Sequence, residues 1–85
     1  MKLLIVDDEE LTRTGLIDSI DWESLGIFQL FQAEDGISGL RIAKEVKPEI
    51  VLCDVRMPRM DGIEMVERLE KLLPQSAFIL SLIHI

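Results

Sequence analysis

The chain has 85 residues, 48% of them hydrophobic, with nine basic against 16 acidic side chains and a formal charge of -7. This length supports one small domain with a thin stability margin. The acidic balance disfavours nucleic acid as a direct partner of this segment, because gripping a phosphate backbone needs clustered Lys and Arg, and it suits a site that collects a cation.

The single cysteine, Cys53, cannot form an internal disulfide, which is compatible with a reducing, cytoplasmic setting. The apolar start Met1–Val6 stops at Asp7, too short for a membrane span or a signal-peptide core, so no membrane association is expected. No repeat, low-complexity tract or linker is visible.

Leu3-Leu4-Ile5-Val6, ended by four acids, reads as a strand buried on both faces. Leu11–Ile20 reads as a helix, with Glu9 and Glu10 near its start where negative charge is favoured. The stretch Asp21–Gly26 breaks it, and Phe28–Ala33 follows as a second strand. Asp35-Gly36 opens a second helix whose apolar positions Ile37, Leu40, Ala43 and Val46 have helical spacing, and Pro48 stops it. Ile50–Cys53 is a third strand, again uniformly apolar and again ended by an acid, Asp54. A loop over 56–60 leads to Asp61, a plausible N-cap, and a third helix with Ile63, Val66, Leu69 and Leu73 on one face. After the turn Pro74–Ser76, Ala77–Leu80 is a fourth strand.

Alternating strands and helices imply parallel β-α-β units, and in such sheets a ligand sits beyond the carboxyl ends of the strands. Asp7, Asp8 and Asp54 all fall at that edge, on two strands. Taken singly, the acidic run reads as a solvated helix start and Asp54 as a turn residue. Taken together, three crowded carboxylates call for a cation, and oxygen ligands beside a phosphate-admitting site suit magnesium. One carboxylate could then attack a phosphoryl group, and Asp54 is best placed to face a substrate.

At these residues the chain resembles the response-regulator receiver domain of two-component signalling. The resemblance rests on Val6-Asp7-Asp8-Glu9-Glu10, on Ala33-Glu34-Asp35-Gly36 with Leu40, and above all on Asp54-Val55-Arg56-Met57-Pro58 followed by Met60-Asp61-Gly62. It implies a flavodoxin-like, doubly wound parallel α/β sheet, here with four strands and three helices. It implies that Asp54 is the phosphoacceptor and that Asp8, Asp54 and the backbone carbonyl of Arg56 bind Mg2+, with Asp7 acting through metal-bound water. Ser81 falls where the family carries a hydroxyl that senses the phosphoryl group. The implied donor is a phosphohistidine on a sensor histidine kinase. Ile20–Gly26 is similar to receivers that precede an AraC-type helix-turn-helix output, so DNA would be reached only through a downstream domain, with a dimer among the states open to the full-length protein.

The family's pattern continues past a fourth strand to a fifth that carries a phosphoryl-contacting Lys, whereas this chain ends Ser81-Leu82-Ile83-His84-Ile85. The expectation is a partial receiver domain over 1–80 and a non-native tail over 81–85, similar to read-through of a sequencing adapter. Phe78–Leu80 would then form an exposed apolar edge. A pseudo-receiver that binds partners without phosphate and a small aspartyl-nucleophile phosphatase are the competing readings. Arg56, at the position where such a phosphatase places its second Asp, counts against the latter. Cys53 reads as a buried structural thiol, and Met57, Met60 and Met65 as packing residues. His84 reads as no ligand, and Arg41, Lys44 and Lys47 as a solvated basic face.

Overall fold

A computed structural model describes residues 1–55, 57 and 60–81, the last by its backbone alone. In chain order these form β1 (Lys2–Val6), α1 (Glu10–Ser19), a 3-10 turn (Glu23–Leu25), β2 (Gln29–Ala33), α2 (Gly36–Val46), β3 (Ile50–Asp54), α3 (Gly62–Leu72) and β4 (Ala77–Ser81). The described strands make one parallel sheet in the order β2-β1-β3-β4. The chain therefore winds outward from β1 to β2, crosses back over β1 to β3, and continues to β4. This is the doubly wound α/β arrangement expected, and its reversal point lies between the carboxyl ends of β1 and β3.

Alternation along the strands sorts the core into two faces. Leu4, Val6, Val51 and Cys53 join Ala43 of α2 and Met65, Val66 and Leu69 of α3 in one buried cluster. Leu3 and Ile5 face the other way and meet Ile27, with Leu16 and Ile17 of α1, Trp22, Ile50 and Leu52 partly buried against them. The Trp22 indole N–H donates to the Ile17 carbonyl at 3.1 Å, which fixes the turn after α1.

The helices differ in how they are held. Asp35 caps α2 by accepting from the Ser38 N–H at 2.7 Å, and Asp61 caps α3 by accepting from the Glu64 N–H at 2.8 Å. Each such cap is worth about 1 kcal/mol. Both helices bury residues on the sheet, whereas α1 has no side-chain cap at Glu9 and no fully buried residue.

The expected faces of α2 and α3 hold at Ala43, Val66 and Leu69, which are buried, and at Leu40 and Leu73, which pack against them, but one large residue at the start of each departs. Ile37 and Ile63 are exposed, and the buried stripes are Gly36, Gly39 and Ala43 on α2 and Gly62, Met65, Val66 and Leu69 on α3. The reason is close approach: a Cβ on Gly39 would lie 2.9 Å from Met65 Sδ and 3.0 Å from a Val6 methyl carbon. Small residues, not the large apolar ones, therefore set how near α2 comes to α3 and β1. Phe28 also departs from expectation: it precedes β2 and is 72% exposed.

β4 lies at one end of the described sheet, with Ile79 and Leu80 exposed. An apolar strand with a free edge is a template for pairing with another chain. Ile79→Lys should reduce self-association of the 85-residue chain, read by light scattering, with little change in melting temperature because the site is exposed. Unchanged association would show that this edge is not the contact.

Candidate functional site

The carboxylates at the reversal point are placed mainly by backbone hydrogen bonds. Asp7 directly follows β1, is buried, and donates its N–H to the Ala33 carbonyl at 3.1 Å, extending the β1–β2 ladder by one step. Its Oδ1 accepts the Glu9 N–H at 2.9 Å, which turns the chain into α1. Its carbonyl oxygen accepts a hydrogen bond from the Arg13 guanidinium. Asp8 is thereby turned outward and is exposed. Asp54 is the last residue of β3 and is buried, with its backbone in register with Ser81 of β4.

One carboxylate oxygen from each of Asp7, Asp8 and Asp54 lies within 4.8 Å of the others. Two sheltered acids and one at the mouth make a cluster of hard oxygen donors that could share a divalent cation together with other ligands, which would offset their mutual repulsion. The three residues singled out from sequence are thus brought together. The Arg56 carbonyl lies outside the described residues, as do Leu82–Ile85 with His84, and for Ser81 only the backbone is described.

Glycine close to Asp54 fixes that residue from below. The Gly62 N–H donates to the Val55 carbonyl at 3.1 Å, and a Cβ on Gly62 would lie 2.2 Å from the Asp54 carbonyl oxygen and 2.9 Å from Cys53 Sγ. Likewise a Cβ on Gly36 would lie 2.2 Å from the Met60 carbonyl oxygen. The start of α3 is therefore pressed onto the end of β3, and the start of α2 onto Met60. Arg13 escaped sequence reasoning, in which the two glycines figure as motif residues rather than as points of close approach. The available signals were a glycine directly after each acidic N-cap and a cation at the fourth position of α1, where the helix dipole disfavours positive charge.

Cys53 is buried beside the site, and burial followed by the negative charges of Asp54, Asp7 and Asp61 pushes its thiol up to about 12. It is a structural thiol, and Met60 and Met65 are buried packing residues as expected.

The chain matches the response regulator receiver domain model over residues 3–82. It is 36% identical over 78 residues to the uncharacterized transcriptional regulatory protein YesN of Bacillus subtilis, covering 92% of this chain and 21% of that protein. A crystal structure of a two component transcriptional regulator AraC from Clostridium phytofermentans superposes with a TM-score of 0.90 at 51% identity, over 94% of this chain and 64% of that one. The receiver domain of AraT, a response regulator from Geobacillus stearothermophilus, superposes with a TM-score of 0.89 at 34% identity, over 93% of this chain and 61% of that one. The chain belongs to the response regulator receiver domain family, and it spans about a fifth of the length of its curated relative.

Two measurements check the local account. Gly62→Ala should destabilise the chain by about 1–3 kcal/mol, the usual cost of overpacking, because the backbone of Asp54 must move. A melting temperature unchanged within error would contradict the close approach. The Cys53 thiol should resist alkylation at neutral pH until the chain unfolds. Because the folded thiol holds its proton to about pH 12 and an unfolded one loses it above about pH 8.5, this group should lower stability progressively as pH rises between those values.

Proposed function

We propose that Asp54 is the phosphoacceptor of this receiver domain and that Asp8 and Asp54 hold a Mg2+ ion, with Asp7 acting through metal-bound water and the Arg56 carbonyl as a further ligand. The convergence of the three carboxylates within 4.8 Å at the reversal point of the sheet carries this reading. Bound Mg2+ would neutralise charge on the carboxylates and on the incoming phosphoryl oxygens.

The Asp54 carboxylate oxygen forms the new O–P bond as the P–N bond of a phosphohistidine breaks, and the bonding pair stays on the departing imidazole nitrogen. Asp8, exposed at the mouth, would lie on the side from which a donor approaches, while Cys53 and Gly62 pack beneath the backbone of Asp54. A hydroxyl at Ser81, one strand away in register, would sense the phosphoryl group and bias a two-state domain.

The donor would be a sensor histidine kinase, and the reader a DNA-binding output in a longer, dimer-capable protein. The names of the relatives as transcriptional regulators and the 51% identity to the Clostridium regulator favour that context. We place the domain in the cytoplasm; the lone buried cysteine agrees with that setting, and no helix among the described residues is long and apolar enough to cross a membrane. The domain would turn over only its own phosphoryl group.

Acetyl phosphate with Mg2+ should add one phosphoryl group per chain, read by intact mass. Asp54→Asn and excess EDTA should each abolish the adduct. Sustained release of phosphate from a phosphoester by the wild type would instead indicate a phosphatase. An adduct that survives Asp54→Asn would refute the assignment.

A further inference from the structure

Arg13 is a cation in the first turns of α1, four residues beyond Glu9. Its Nη1 donates to the carbonyl of Asp7 and its Nε donates to Gln32 Oε1 at 3.1 Å. Gln32 belongs to β2, in register with Ile5 of β1. The guanidinium therefore closes a triangle between α1, the edge strand β2 and the residue where β1 ends.

Among the bonds that constrain Asp7 are its N–H to Ala33, Oδ1 from Glu9, and carbonyl from Arg13. The first two fix the ladder and the turn. The third fixes the plane of the Asp7–Asp8 peptide, and hence the direction in which Asp8 leaves the strand. Since α1 buries no residue fully, the arginine adds a polar tie between that helix and the end of β1.

We propose that Arg13 is a positioning residue for the acidic site, orienting Asp8 through the Asp7 carbonyl so that the carboxylates converge on the ion. This rests on the Mg2+ reading above. Charge and position act here with opposite signs. A guanidinium beside a cation site repels the ion, so removing it for electrostatic reasons alone would tighten Mg2+ binding. Removing a group that orients a ligand typically weakens metal binding by about 10-fold or more.

The test is a Mg2+ titration by calorimetry at 0.15 M salt on wild type, Arg13→Ala, Arg13→Lys and a core control, Val66→Ala, with melting of each measured in EDTA. Arg13→Ala should bind Mg2+ about tenfold more weakly. Arg13→Lys, which keeps the charge and can still donate to the carbonyl, should fall between it and the wild type and serves if the alanine variant does not fold. Equal or tighter binding by Arg13→Ala would overturn the proposal. So would an equal loss in Val66→Ala at matched melting temperature, since the effect would then be general loosening. A wild type that binds no Mg2+ would instead sink the metal reading, and this inference with it.

Discussion

Like charges held close together in a poorly solvated place are the constraint on which this molecule turns. Asp7 and Asp54 are buried at the ends of neighbouring strands, with Asp8 at the rim, and their oxygens come within 4.8 Å. Nothing about the acids themselves favours that closeness. It is imposed by β1–β3 pairing in parallel register, Val6 against Cys53, so that both strands run out at the same level. The sheet's winding then opens a crevice there, because the crossovers on either side depart in opposite directions.

The same arrangement links the site to the rest of the domain. Gly62 places the start of α3 against the carbonyl of Asp54, and Gly36 places the start of α2 against that of Met60. Both contacts are closer than any side chain would allow, so at Gly62 the start of α3 meets the backbone of Asp54 directly, with no side chain between them. Well-packed contacts of this kind respond in discrete steps. On the opposite face α1 is loosely packed and is tied to the site chiefly through polar bonds. Both faces carry an apolar cluster, but the helix on the second face buries no residue fully and leans more on hydrogen bonds.

Much of this was legible in the residues. Uniformly apolar four-residue runs ended by acids announced β1 and β3, and the spacing of Gly, Pro and acidic caps announced the helices between them. The carboxylates could be placed at one edge because strand ends in a parallel sheet share a side. The helix faces were legible at Ala43, Val66 and Leu69, but not at the first turn of either helix. Ile37 and Ile63 are large residues at helical spacing, yet they face solvent, while the closest approaches are made by glycines: Gly36 to Met60, Gly39 to Met65 and Val6, and Gly62 to Asp54. Periodicity counts apolar residues and gives glycine no weight as a contact. Arg13 was hidden for a related reason: its partner at the site is a backbone carbonyl, and backbone acceptors leave no mark in a sequence.

The central claim is that acids from separate strands converge to hold a divalent ion beside the oxygen of Asp54. A crystal grown with Mn2+, a manganese stand-in that takes the same oxygen ligands as Mg2+, locates the ion by its anomalous signal. The account requires one peak in the crevice between β1 and β3, within bonding distance of Asp8 and Asp54. A peak elsewhere, or an empty crevice with the three side chains turned apart, would contradict it.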